Sequence, residues 1–329
     1  MDYITRTKGI IDNGTLMARQ ETTVQIARDL GIEPISFYYY PVDSENDECL
    51  SARLDGILSC LSYGDNLILQ MPTLLNERYV LTLINKVNMF RSVSSTKLII
   101  YVHNDLIYNY SITPDSNLAQ ILSQADVLIV NNPATAKYLY KQGIKVKRFF
   151  YFYIYDYLLD EPCKDNVGIK RHFNLVGLQT NLINELLNFS NPIHVYHSVI
   201  VNSKNIVSHK LRISDSALPY QLNYNGGVGI VWPFLSKSAI LLPNTLGLFI
   251  DAKMPIIVKS GSIEAGLVSK YQIGYVAKSI EDAVDWINSL SNNEYYQLQE
   301  HIQIPSEMVG TGFFTKRVLE NTLFNLKRN

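Results

Sequence analysis

The sequence predicts an α/β protein made of two doubly wound, Rossmann-like domains facing a cleft, and three observations carry that expectation. The chain has 329 residues, more than one hydrophobic core usually supports, so two domains are expected. Apolar residues make up 47% of it and charged residues 18%, which is enough material for two buried sheets. Apolar runs of strand length alternate with amphipathic runs of helix length almost from end to end, the pattern of βαβ units and parallel sheets.

In the first half the strand candidates are 33–40, 66–70, 97–103, 127–130 and 146–150, and the helix candidates are 15–30, 49–61, 75–90, 116–124 and 134–142. That completes one doubly wound domain, assigned to residues 1–155. The stretch "FFYFYIYDYLLDEPCKDNVG" reads as its last strand followed by a connection. Its aromatic part, about ten residues, is too short to span a bilayer and is read as core or cleft packing.

The second series of strands is "FNLVG" from Phe173, "IHVYH", "VGIVW", "MPIIV" and "IGYVA", with helices at 181–187, 215–222, 245–252, 262–271, 280–290 and 294–301. Two of these helices open on the capping-box letters "SIED" from Ser279 and "SNNE" from Ser291, where a hydroxyl and a carboxylate can satisfy early N–H groups. Residues 170–308 form this second domain. The closing segment 309–329 has helical periodicity at Phe314, Val318, Leu319, Leu323 and Leu326, and is expected to fold back on the first domain.

Composition narrows the function. A formal net charge of -1 marks no general affinity for nucleic acid or an acidic membrane surface. Cys49, Cys60 and Cys163 are scattered without zinc-ligand or CxxC spacing, so reduced thiols in a cytoplasmic protein are expected. No signal-like N-terminus and no run of about 18 apolar residues are present. Work at the inner membrane face stays open through a partner or a surface patch.

In doubly wound sheets, ligands bind at the carboxyl ends of the strands, and four stretches are candidates for such positions. "NGGVGIVW" (225–232) lacks a third glycine and precedes a strand, where a dinucleotide fingerprint would follow one, so nicotinamide and flavin are disfavoured. In "LPNTLGLFIDAKMPIIVKSG", a helix opening at Pro243 and Asn244 presents N–H groups and a positive dipole end suited to an anion. Asn244 and Thr245 could donate to phosphate or sugar oxygens and Gly261 allows close approach, although an ordinary N-cap and turn explain the same letters. In "TRTKGIIDNGTLMARQE" (5–21), Gly14 and Thr15 form either a ligand-facing or a plain surface loop after the first strand. In "YVHND", His103 and Asp105 could supply an acid or base, with a structural role for His103 as the alternative.

His194 and His197 are three apart on a strand, face opposite sides and do not share a metal. No DxD, P-loop, GxSxG or HExxH occurs.

The chain resembles a bacterial family of GT-B glycosyltransferases that includes the glucosyltransferase 3 enzymes of serine-rich adhesin glycosylation and β-1,6-galactofuranosyltransferases. The likeness runs through "YIT" with a following "GT", "LDGILSCLSYGDNLILQMPT", "LIIYVHND", "ADVLIVNNPATAKYLYKQGIKVKR", "YDY", "GGVGIVW", "LGLFIDAKMPIIV", "IGYVAKSIEDAVDWI" and "GFFTKRVL". It implies a UDP-sugar donor held mainly by the second domain, and a glycan or glycoprotein acceptor entering from the first. It also implies metal-independent transfer without a cofactor, and self-association into a homo-oligomer.

On that resemblance Gly14, Thr15, Gly177, Asn181, Asn244, Thr245 and Gly247 line the nucleotide-sugar side, and His103 or Asp105 assists the acceptor. Two departures stand out. Relatives read "N-x-x-K-L-S-x-Y-L-A-A-G-x-P"; aligning on Pro255 puts Thr245 at the lysine and Lys253 at the glycine. Relatives also often carry a cation after "F-A-G", where this chain has "LVGLQTN". A positive group missing at a leaving diphosphate costs transition-state stabilisation of roughly a few kcal/mol. A weak or inactive binding or regulatory subunit is therefore the alternative, unless Lys237, Lys253 or Lys259 compensates.

Overall fold

The computed structural model describes residues 1–9, 15–164, 168–200, 203–210, 217–232 and 244–327. The chain divides into two compact units, Met1–Tyr153 with Thr315–Asn329, and Ile154–Phe314.

The first unit runs β1 (Asp2–Lys8), α1 (Thr15–Asp29), β2 (Glu33–Tyr38), α2 (Asp47–Leu58), β3 (Asn66–Met71), α3 (Glu77–Ser94), β4 (Lys97–Val102), α4 (Asn104–Asn109), α5 (Asn117–Ser123), β5 (Val127–Val130), α6 (Pro133–Lys141) and β6 (Arg148–Tyr151). Its six strands are all parallel in the order β2-β1-β3-β4-β5-β6. β3 and β5 are buried along their whole length, as expected of central parallel strands covered on both faces. The edge strand β2 alternates instead.

Helix starts follow local chemistry: the side chains of Asn46, Asn76, Ser116 and Asn132 accept early N–H groups of α2, α3, α5 and α6, which are otherwise orphaned. From Thr315 onward the last helix, α13 (Phe313–Lys327), belongs to this unit. Arg148 donates to the Asn325 carbonyl (3.0 Å), and Lys316 pairs with Asp29 (3.4 Å). Two features differ from the sequence reading. β1 continues through "TRTK" to Lys8, held by register with Ile35–Tyr38 of β2, and the six-residue α4 follows β4 directly.

The second unit runs β7 (Phe173–Val176), α7 (Thr180–Leu186), β8 (Ile193–His197), β9 (Ile206–Lys210), α8 (Leu218–Asn225), β10 (Val228–Val231), α9 (Asn244–Asp251), β11 (Ile256–Lys259), α10 (Ile263–Tyr271), β12 (Gly274–Ala277), α11 (Ile280–Ser289) and α12 (Asn292–Gly310). Its sheet is also parallel, ordered β12-β11-β10-β7-β8-β9. Phe173, Leu175, Val195 and Ile230 meet Leu182, Ile183, Ala283 and Ile287 of α7 and α11 in one core.

β9 escaped the sequence reading because "IVSHK" lies half-exposed at the sheet edge. α12 runs on from 301 to Gly310 through Pro305, because Ile302, Pro305, Ser306 and Val309 are buried on a helix that packs along α9. Ser291 and Glu294 close a full capping box, whereas Ser279 caps alone: the Asp282 carboxylate instead accepts from the Lys278 N–H (2.7 Å) and the Tyr275 hydroxyl (2.9 Å).

Candidate functional site

Each sheet has one place where its strand order reverses, and in open α/β sheets ligands bind outside the carboxyl ends of the strands at that place. In the second unit it lies between β7 and β10: β8 and β9 extend to one side, β11 and β12 to the other.

β7 ends at Gly177, whose φ of +85° is a left-handed conformation that suits glycine, and whose N–H donates to the Tyr196 carbonyl (2.9 Å). Nothing lies within 4 Å of where a Cβ would stand on it. Asn181 follows on the first turn of α7, exposed. The buried Trp232 follows β10, and α9 opens with the half-buried Asn244 and Thr245. The Tyr157 hydroxyl donates to the Asn244 carbonyl (3.2 Å). With eight residues, α9 turns its amino end, with a dipole worth about half a positive charge, to the carboxyl side of the sheet.

Gly247 serves a different purpose. A Cβ added there would run into the Tyr155 carbonyl oxygen and crowd Ile154, so the glycine allows α9 to lie directly on the 154–155 backbone. Pro243, Lys237 and Gly14 lie outside the described residues.

Two lysines that the sequence offered as compensating cations are separated by the fold. Lys253 sits past the carboxyl end of α9 with φ +51°, about 12 Å of helix away from Asn244. That left-handed backbone is one that glycine adopts more readily than lysine. Lys259 instead ends β11, with its Nζ 5.8 Å from the centre of the Trp232 ring.

In the first unit the order reverses between β1 and β3. Thr15 opens α1 after β1. Beside it lies a buried polar network that the sequence reading missed. The backbone N–H of Gln70, on β3, donates to the Thr5 hydroxyl oxygen (2.9 Å), and the Gln70 side-chain amide donates to the carbonyls of Thr5 (2.8 Å) and Gln20 (3.3 Å). Gln20 in turn donates to the Pro72 carbonyl (2.7 Å). The signal available was a glutamine closing the apolar letters "LIL" of "NLILQM".

His103 belongs to this network. Its Nε2 lies 2.9 Å from the Gln70 amide oxygen; since that oxygen only accepts, Nε2 carries the proton. The ring is 0% exposed, and burial, reinforced by the Arg19 charge, pushes its pKa down to about 3. It is therefore neutral and enclosed, the opposite of a group open to an incoming acceptor. Asp105, on α4, is partly exposed and pairs with Arg19 of α1 at 2.5 Å.

Among the described residues no cluster of His, Cys, Asp and Glu is arranged to hold a metal ion. His194 stacks on His172 (3.9 Å) and bonds His209 (3.1 Å), while His197 Nδ1 accepts from the Val199 N–H (3.0 Å). The two histidines thus serve separate surroundings.

Comparison with known proteins accords with this architecture. The family described as "Glucosyltransferase 3-like" matches with its N-terminal domain over residues 1–151 and its C-terminal domain over residues 174–322. Glucosyltransferase 3 of Streptococcus gordonii is 27% identical over 96% of both chains. The β-1,6-galactofuranosyltransferase WbbI of Escherichia coli is 25% identical over 63% of this chain and 66% of its own. An α-glucosyltransferase solved with UDP and a 13-mer DNA containing an HMU base superposes with a TM-score of 0.67 at 13% identity, over 99% of each chain. With both family domains matched in order along nearly the whole chain, the protein belongs to the glucosyltransferase 3-like family and is a glycosyltransferase of GT-B fold.

Proposed function

We propose that this glycosyltransferase moves a hexose from a UDP-sugar to a hydroxyl of a glycan on a surface glycoprotein or polysaccharide, without a metal ion. The observation that carries the reading is the start of α9 near the reversal point of the second sheet, a helix end of the kind that suits an anion, on the side of the sheet where such folds take ligands. In the reaction the bond from the sugar carbon to the diphosphate breaks, a bond to the acceptor oxygen forms, and the acceptor proton leaves. Charge accumulates on the departing UDP, where oriented N–H groups stabilise it.

Gly177, Asn181, Asn244 and Thr245 are assigned to the donor, with Gly247 supporting α9 from behind. Gly14 and Thr15 are assigned to the nucleotide sugar as well. Asp105 is assigned to the acceptor. His103 is assigned a positioning role, holding Gln70. We place the activity in the cytoplasm, at the inner face of the membrane where lipid-linked or exported acceptors are built, and in a homo-oligomer.

Calorimetric titration with UDP and UDP-sugars tests the reading: binding in the micromolar range followed by transfer to a glycan acceptor is expected. No binding at millimolar ligand refutes it. Binding with neither donor hydrolysis nor transfer across a panel of acceptors would instead mark a binding subunit.

A further inference from the structure

We propose that Lys259 supplies the positive charge for the departing diphosphate, from a strand neighbouring the one that leads into α9. The inference rests on the UDP-sugar reading above and assigns a residue to a need that the reading leaves unmet. A helix end contributes only about half a charge, and Thr245 at its second position is neutral.

The carboxyl end of the second sheet offers three lysines among the described residues. Lys210 ends β9 and Lys278 follows β12, the two edge strands, each two strands from the reversal point. At about 4.8 Å per strand they stand roughly 10 Å to the side, and Lys278 also lies beside Asp282. Lys259 ends β11, the immediate neighbour of β10. Its ammonium leans across that gap and is held over the Trp232 ring at 5.8 Å, a cation–π contact that steers it towards the end of β10. Lys259 is half-buried and makes no ion pair among the described residues, so no carboxylate competes with a phosphate for it.

A cation restrained by an aromatic face, at the carboxyl end of the strand next to β10 and in no ion pair among the described residues, suits a β-phosphate. The same group serves in the ground state and, more strongly, as negative charge builds on the leaving oxygen.

The test compares uridine with UDP on the full chain by calorimetry. Lys259→Met is expected to weaken UDP about 10- to 100-fold, the usual range for losing a charge-assisted hydrogen bond, and to leave uridine within twofold. Lys259→Arg is expected to retain most UDP affinity. The assignment is overturned if Lys259→Met leaves UDP unchanged, or if it weakens uridine and UDP alike, which would make Lys259 a mere prop for Trp232. Failure of the unmodified protein to bind UDP would overturn the donor reading itself, a result distinct from either.

Discussion

Asp251→Asn should stabilise the protein at neutral pH, and the gain should grow with pH. Asp251 closes α9 with 2% of its surface exposed, and one carboxyl oxygen, Oδ2, has no hydrogen-bond partner among the described residues. Gly310 of α12 packs so closely that a Cβ there would stand 3.2 Å from the other oxygen. Burial, then the nearby charge of Asp156, raises its pKa from 3.8 to about 8.

A carboxyl with a raised folded pKa keeps its proton in the folded state after the unfolded chain has lost it. Stability is therefore greatest below about pH 4, falls through the window from about 4 to 8, and levels off above 8. At roughly 1.4 kcal/mol per unit, a gap of about 3 units at pH 7 sets a ceiling of about 4 kcal/mol. Asparagine removes that penalty but leaves an amide short of partners, at a cost of about 1–3 kcal/mol. A net gain of about 1–3 kcal/mol is expected at pH 7. Urea denaturation of both proteins at pH 5, 6, 7, 8 and 9 reads it out: the variant's advantage should widen from pH 5 to 8 and then hold steady. An advantage that does not change with pH would refute the protonated, buried carboxyl.

Lys253→Gly should raise stability by about 1 kcal/mol, because it relieves a left-handed non-glycine residue; an unchanged or lower melting temperature would count against the strain. Thr245→Lys should tighten UDP, since it adds a full positive charge on the first turn of α9, the end assigned to the diphosphate; an unaltered Kd would mean the helix start does not meet the diphosphate. Gly247→Ala should cost about 2–3 kcal/mol by pushing α9 off the Tyr155 carbonyl, visible as a lower urea midpoint. The pH–rate profile should show no inflection near 6.5 from His103, whose pKa lies at about 3; if His103→Gln removed such an inflection, the enclosed neutral ring would be the wrong description.

What could be read from the letters, and what could not, follows from range. Strand β5 and the core of β3 were legible because a buried parallel strand writes itself as an unbroken apolar run. β9 was not, because an edge strand with Ser208 and His209 on it carries no such run. The long α12 was hidden by Pro305, which a local rule reads as a stop, and only burial against α9 explains its continuation. At the site, the glycines and the helix opening at Asn244 were visible as local chemistry. The Gln70–His103 network was not, because it joins residues 33 positions apart.

By itself, then, the sequence determined two parallel α/β domains, the helix opening at Asn244 and the membership of a glycosyltransferase family, since periodicity, turn residues and ordered motifs are properties of neighbours in the chain. Only the tertiary structure decided that His103 is sealed and neutral, that Asp251 is a buried acid beside Asp156, and that Lys259 rather than Lys253 stands at the end of the sheet where α9 begins. Those outcomes depend on strand order, which sets burial and charge neighbours between segments that the chain itself keeps far apart.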